Sequence, residues 1–174
     1  MNQSLATIVS RIFDPFVSLT AVFILLFYGS PKFIPAFLLM IILPLVFFIV
    51  AWKTKYISNW DVSVRRERPK ILWPLLGIEI VASGLLKTTV LFPVLLALAG
   101  FAVVTQFWKI SGHTMAIAYA TGLAVKLFGW QWWPVLFIVP LVGWARVVRH
   151  DHTILQVAAG AVYSWSLLVI ARPF

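Results

Sequence analysis

The chain has no cysteine among its 174 residues. A disulfide framework, a thiolate metal site and a cysteine nucleophile are therefore excluded. Charged residues make up only 11% of the chain, whereas ordinary soluble domains carry roughly 25%. Hydrophobic residues reach 62%, and a soluble chain of this length has too little interior to bury so many. The composition excludes a soluble enzyme, a disordered tail and a secreted disulfide scaffold, and it predicts an integral membrane protein.

Acidic residues are the scarcer of the two charged classes, with 5 Asp and Glu against 14 Lys and Arg, for a net charge of +9. In a soluble domain this surplus would indicate nucleic acid. Here the charge is concentrated in short loops, so we expect membrane lipids and a phosphorylated lipid substrate as partners, and no nucleic acid. No protein partner can be inferred. The first ten residues have neither a basic start nor a small-residue cleavage site, so we expect no removable signal peptide.

Apolar segments account for most of the chain. A membrane-spanning helix needs about 20 largely apolar residues, and seven segments approach that length. They predict an all-α polytopic bundle of about six to seven spans, forming one integral membrane domain over residues 1–174 without a soluble domain. The segments are Phe13–Gly29, Phe33–Trp52, Ile71–Leu86, Thr88–Trp108, His113–Phe128, Trp133–Ala145 and Thr153–Ile170.

Three polar breaks interrupt these segments, at residues 53–70, 109–113 and 146–152. They follow the second, fourth and sixth spans, so all three are expected on one face of the membrane. A tryptophan-rich stretch around Trp132 falls on the opposite face, where it is typical of an interfacial aromatic belt. All three histidines of the chain lie in the breaks, beside several arginines. Phosphoryl transfer needs this combination of positive charge, a positioned nucleophile and an acid for the leaving group.

The second break contains Ser111, Gly112 and His113 at the start of the fifth span. Free N–H groups at a helix start bind anions, glycine permits close approach of the backbone, and serine both caps a helix and donates to phosphate. An ordinary helix cap explains the tripeptide equally well.

The third break and its continuation place Arg146, Arg149, His152 and Gln156 at spacings of 3, 3 and 4. At a separation of four residues, the Gln156 oxygen can accept a hydrogen bond from one imidazole nitrogen of His152. The other nitrogen is then available for nucleophilic attack. A solvated basic loop that anchors to headgroups is the alternative interpretation.

In this order the breaks resemble the signature motifs of the type 2 phosphatidic acid phosphatase (PAP2) superfamily of integral membrane lipid phosphatases. The family pattern is K-x6-R-P, then P-S-G-H, then S-R-x5-H-x3-D. This chain has D-x6-R-P in residues 61–69, I-S-G-H in residues 110–113 and A-R-x5-H-x3-Q in residues 145–156. The resemblance thus covers residues 61–156.

The resemblance implies a role for each matching residue. His152 would be the nucleophile that forms a phosphohistidine, and His113 would protonate the leaving oxygen. No cofactor and no metal would be needed. A metal site at His113, His150, Asp151 and His152 is the less favoured alternative, because the spacing of residues 150–152 is awkward for one ion. The residues that would hold the phosphate are Arg68, Arg146, Ser111 and the amide of Gly112.

Two departures from the family pattern bear on the chemistry. Asp61 replaces the lysine, and Arg65, one turn before Arg68, would supply the missing charge. Gln156 replaces the aspartate that orients the nucleophile, so it would orient the His152 ring without adding charge. Asp151 is a possible substitute for that aspartate, although consecutive helical residues point in different directions.

The function expected is hydrolysis of a lipid phosphate or a (poly)prenyl diphosphate, such as undecaprenyl diphosphate, in phospholipid metabolism. A PAP2-like protein that binds lipid phosphates without turnover is the alternative. A transporter or channel is disfavoured because the charges cluster on one face. We expect a multi-pass protein of a prokaryotic cell membrane. Lysines 53, 55, 70 and 109 favour a cytoplasmic active site by the positive-inside rule, whereas family members that act on the outer leaflet argue for the other face.

Overall fold

The computed structural model describes residues 2–170, and all regular secondary structure among them is helical. This confirms the all-α prediction. A π-helical stretch precedes α4, and short 3-10 helices precede α5 and α8. The α-helices are α1 (Asn2–Ile12), α2 (Pro15–Phe27), α3 (Phe33–Phe37), α4 (Leu43–Lys53), α5 (Arg68–Leu85), α6 (Phe92–Phe107), α7 (Gly112–Phe128), α8 (Ile138–Val148) and α9 (Ile154–Ile170).

Three helical stretches among the described residues are long and apolar enough to cross a membrane: Gln3–Phe27, Phe33–Lys53 and Trp130–Val148. Two shorter apolar helices are Phe92–Phe107 and Ile154–Ile170. These helices agree with a membrane protein, and the number of passes stays a prediction. The first stretch begins ten residues before the predicted span, because the polar residues of α1 lower its hydropathy without preventing it from forming a helix.

The first stretch is broken at its centre. Phe13 still donates its N–H to the Val9 carbonyl at 3.0 Å, but Pro15 has no N–H to continue the ladder. The Asp14 side chain caps the next helix by accepting a hydrogen bond from the Phe16 N–H at 2.9 Å. α1 and α2 are therefore separate helices, and Asp14, which lies between them, caps α2.

Three helices end on a residue with positive φ that is not glycine: Lys55 after α4, Lys87 after α5 and His150 after α8. After α8, the His150 N–H bonds to the Val147 carbonyl at 2.9 Å and the Asp151 N–H to the Arg146 carbonyl at 3.1 Å. This paired arrangement is the Schellman motif, which satisfies the last carbonyls of a helix. It fixes the turn that carries the third polar break.

The described residues form two compact units. The first, called here the terminal unit, comprises residues 2–25 and 110–170, and the second, called the middle unit, comprises residues 26–109. In the terminal unit α7 packs along α9, and α1 packs along α8. The apolar core between these helices consists of Ala6, Val9, Ile117, Ala118, Val139, Val142, Ala145 and Ala161.

In the middle unit α5 packs against α6. The loop between α4 and α5 is anchored by Trp60, whose ring packs edge-on against those of Phe48 and Trp52. The distances between ring centres are 5.0 Å to Phe48 and 5.7 Å to Trp52. Ile57 in the same loop is buried. These contacts fix the segment that leads into the first motif.

Candidate active site

Ser111 joins the first turns of α7 and α9. It is the N-cap of α7, where its Oγ accepts a hydrogen bond from the Thr114 N–H at 3.3 Å. Its own N–H donates to the Gln156 carbonyl at 3.1 Å. Gly160 permits this approach, since a Cβ there would lie 2.6 Å from the Ser111 carbonyl oxygen. The helix cap expected from the sequence is present, and it is fully buried.

His113 follows in the first turn of α7 and is buried. Its Nε2 lies 3.4 Å from Nη1 of Arg146. A carboxylate oxygen of Asp14 lies within 4.8 Å of a ring nitrogen of His113. Within the terminal unit the imidazole thus has both a cation and an anion near it, two groups with opposite effects on its protonated form.

Arg146 lies at the centre of the terminal unit's polar cluster, with a relative exposure of 1%. Its Nη1 donates to the Ser10 Oγ at 2.7 Å, and its Nη2 pairs with the Asp151 Oδ2 at 3.2 Å. Its carbonyl accepts the N–H of His152 at 3.3 Å. A buried guanidinium needs such partners, because an uncompensated buried charge is strongly unfavourable.

Asp151 is directed to the arginines. The same Oδ2 that contacts Arg146 lies 2.9 Å from Nε of Arg149. From the sequence, Asp151 is a possible substitute for the family aspartate that orients the nucleophile. Its contacts with the two arginines are at odds with that role. The carboxylate lies between two guanidinium groups because the turn at His150 directs it there.

His152 and Gln156 form the contact that their spacing predicts. Nδ1 of the buried His152 lies 3.0 Å from Oε1 of Gln156. The same oxygen accepts the Thr153 N–H at 3.3 Å. An oxygen that already accepts from a backbone N–H also accepts at the ring, so Nδ1 carries the hydrogen and Nε2 is the unprotonated nitrogen of a neutral imidazole.

The first motif belongs to the middle unit. Arg68 is buried in the first turn of α5, where its Nε donates to the Val62 carbonyl at 3.2 Å. Its guanidinium also lies 6.0 Å from the centre of the Phe101 ring. Arg65, in the preceding 3-10 turn, donates to the Gln106 carbonyl. Asp61 is only partly buried.

The structure thus brings six of the predicted residues together in the terminal unit. Arg65 and Arg68 are held in the middle unit. Sequence reasoning missed Ser10 and Asp14, which contact or approach site residues from the N-terminal helices. The available signals were weak: a small polar residue in an apolar helix, and an aspartate before Pro15 that is typical of a helix cap. The six residues are Ser111, Gly112, His113, Arg146, His152 and Gln156.

The chain matches the model of one protein family. The model of the PAP2 superfamily matches residues 54–174, well over half of the chain. No curated protein and no solved structure was found to match the chain. All three polar motifs lie within the matched residues, and Ser10 and Asp14 precede them. The chain therefore belongs to the PAP2 superfamily, whose members are phosphatases that act on phosphate esters.

Proposed function

We propose that the protein is a membrane phosphatase that hydrolyses a lipid phosphate or a polyprenyl diphosphate through a phosphohistidine intermediate. The observation that carries this proposal is the 3.0 Å contact between His152 Nδ1 and Gln156 Oε1. It orients the imidazole so that Nε2 presents a lone pair, which is what a nucleophilic histidine requires. Family membership supports phosphatase chemistry in general, and this contact supports His152 as its nucleophile.

The reaction would proceed in two displacements. In the first, His152 Nε2 attacks phosphorus, the bond to the leaving oxygen breaks, and His113 donates a proton to that oxygen. In the second, water attacks the phosphohistidine after giving a proton to His113, and the phosphorus–nitrogen bond breaks. Both histidines are thereby restored, and inorganic phosphate is the product.

Binding of the phosphate would depend on positive charge and backbone donors. The start of α7, with the amide of Gly112 and the hydroxyl of Ser111, offers the N–H groups and dipole that favour an anion. Arg146, Arg68 and Arg65 would neutralise the equatorial oxygens, which carry the developing charge in phosphoryl transfer. A preorganised donor of this kind typically contributes about 10²–10³-fold to a rate.

The lipid substrate class is inferred from the surroundings of the site. The helices that carry the motifs are apolar, with a mean hydropathy of +0.99 for the whole chain. A substrate with an acyl or prenyl tail would keep that tail in the bilayer while its phosphate reaches the motifs at the helix ends.

Binding without turnover is the second candidate, and a specific observation favours it. Gln156 holds the ring of His152 but has no charge to stabilise the imidazolium that forms when phosphorus is attacked. Asp61 likewise introduces a negative charge where the family has a positive one.

The deciding experiment is phosphate release in detergent from phosphatidate, phosphatidylglycerol phosphate and undecaprenyl diphosphate. We expect His152→Ala to lower the rate at least ~10³-fold, because no other group would form the covalent intermediate. His150→Asn is the matched control, since asparagine tolerates the left-handed backbone at that position. Release that survives in His152→Ala would exclude it as the nucleophile. An unaltered protein that binds lipid phosphate but releases none would establish the second candidate.

We place the motif face on the cytoplasmic side of a prokaryotic cell membrane, because Lys53, Lys55 and Lys70 cluster in its longest loop. The absence of native cysteine makes this testable with single introduced thiols. Cysteine at exposed Arg66 should react with a membrane-impermeant reagent only after lysis, whereas cysteine at Trp130 should react in intact cells. The reverse pattern would place the site on the outer face.

A further inference from the structure

We propose that the junction of α1 and α2 supplies two positioning residues to the phosphatase site, Ser10 for Arg146 and Asp14 for His113. This inference rests on the proposed function. Both residues lie outside the stretch that the family model matches, residues 54–174, so the family resemblance assigns them no role. They are four residues apart, at the end of α1 and at the break that follows it.

Ser10 holds a buried arginine through a hydrogen bond. Its hydroxyl is 1% exposed and accepts from Arg146 Nη1 at 2.7 Å. Nη1 is also the atom that lies 3.4 Å from the His113 ring. A hydroxyl is a neutral acceptor, so it fixes the guanidinium without cancelling the charge that phosphate needs. Asp151 already provides one anionic partner, and a second carboxylate at position 10 would weaken phosphate binding.

The packing of α1 makes this bond a rigid one. Ala6, one turn before Ser10, is completely buried in the core that also contains Val142 and Ala145 of α8. Residues four apart on a helix share a face, so the face of α1 that packs on α8 also directs the serine hydroxyl at Arg146. The interruption at Asp14 then ends α1 directly after this contact.

Asp14 offsets the effect of a neighbouring cation on His113. The Arg146 guanidinium, 3.4 Å from Nε2, disfavours a protonated imidazole. The Asp14 carboxylate, within 4.8 Å of a ring nitrogen, opposes that effect and so helps His113 to retain the proton it donates. The carboxylate is itself fixed, because it is 8% exposed and caps α2 through the Phe16 N–H.

The two positioning roles differ in their dependence on the leaving group. Protonation matters for an alkoxide, but p-nitrophenolate departs without an acid. Asp14→Asn retains the helix cap, since asparagine caps as well as aspartate, and it removes only the charge. We expect Asp14→Asn to lower kcat about 10–100-fold on a lipid phosphate and less than about 3-fold on p-nitrophenyl phosphate, with Asp14→Glu restoring part of the loss.

Ser10→Ala should lower kcat/KM on both substrates by a similar factor of about 10, because Arg146 contacts the phosphate whatever the leaving group. Ser10→Thr keeps the hydroxyl and should restore most of the activity. The matched control is Ser18→Ala, which removes a buried serine hydroxyl that has no hydrogen-bond partner among the described residues. Its rates should stay within about 2-fold of the unaltered protein.

Each outcome decides one role. Equal rates for Ser10→Ala and Ser18→Ala would overturn the role of Ser10. Equal losses on both substrates for Asp14→Asn, or no loss on either, would overturn the role of Asp14. If the unaltered protein has no turnover at all, the proposed function fails separately. Titration with inorganic phosphate then still tests Ser10: weaker binding by Ser10→Ala than by Ser18→Ala supports it, and equal binding overturns it.

Discussion

The two compact units hold their arginines in different ways. In the terminal unit Arg146 is fixed by side chains, the Ser10 hydroxyl and the Asp151 carboxylate. In the middle unit Arg68 and Arg65 bond to main-chain carbonyls, which carry no net charge. A carboxylate partner neutralises part of a cation's charge, whereas a main-chain carbonyl has no net charge to do so. The two units thus differ in what orients each guanidinium, side chains for Arg146 and main-chain oxygens for Arg68 and Arg65.

The glycines of the two units also differ, in how closely neighbouring atoms approach them. A Cβ at Gly160 or Gly122 of the terminal unit would lie 2.6–2.7 Å from a neighbouring atom. At Gly77 and Gly84 of the middle unit nothing lies within 4 Å of that position. Close helix contact therefore belongs to the unit that carries all three histidines, where small displacements would be most costly to the proposed chemistry.

The largest difference between the units should come from replacing arginine by lysine. Arg146→Lys should lower kcat/KM about 10²–10³-fold, because one ammonium cannot contact Ser10, Asp151 and a phosphate in the same geometry. Arg68→Lys retains a charge against a carbonyl and should lose only about 10-fold. Lipid phosphate hydrolysis measures both. Equal losses would contradict the distinction between an arginine held by side chains and one held by main-chain oxygens.

A smaller effect should follow from adding one methyl group to a glycine. Gly160→Ala forces a Cβ against the Ser111 carbonyl and the Thr114 hydroxyl, so it should destabilise the protein by about 1–3 kcal/mol. Gly77→Ala fills open space within α5 and should be neutral or stabilise by up to about 1 kcal/mol. The midpoint of thermal unfolding in detergent measures both. A Gly160→Ala protein as stable as Gly77→Ala would contradict the close contact of α7 and α9.

The smallest expected change concerns the uncharged partner of His152. Gln156→Glu keeps the acceptor in place and adds the charge that stabilises the imidazolium, so the rate should be preserved or rise by up to about 10-fold. Gln156→Asp should also preserve or raise the rate, with a smaller gain because its side chain is one methylene shorter. A rate assay at saturating substrate measures both. A lower rate for both variants would mean that the site requires the neutral side-chain amide of Gln156.

Local features of the site were accessible from the sequence, because they depend on short spacings. The His152–Gln156 contact follows from a separation of four residues, and the Ser111 cap follows from a serine at the start of an apolar segment. Helix ends were predicted to within a few residues where glycine or proline marks them, as at Gly112 and Pro69. The roles of these residues in catalysis stay predictions.

Contacts between distant residues were not accessible in this way. Ser10 and Arg146 are 136 positions apart, and no periodicity connects them. The start of α1 at Asn2 was missed because polar residues near the N-terminus lowered its hydropathy. The direction of Asp151 depends on the positive φ of His150, a conformation that histidine adopts only occasionally.

The Arg146 carbonyl gives the third motif its fixed length. This one oxygen accepts the N–H groups of both Asp151 and His152, while the guanidinium of the same residue faces Ser10 and His113. The chain from Arg146 to His152 is therefore closed into a ring by the second of these hydrogen bonds, with the proposed phosphate ligand Arg146 and the proposed nucleophile His152 as its two ends. Adding or deleting a residue inside the ring would open it, whereas the same change in an unclosed loop would be absorbed. The size of this ring therefore sets the interval of five residues between the arginine and the histidine of the motif.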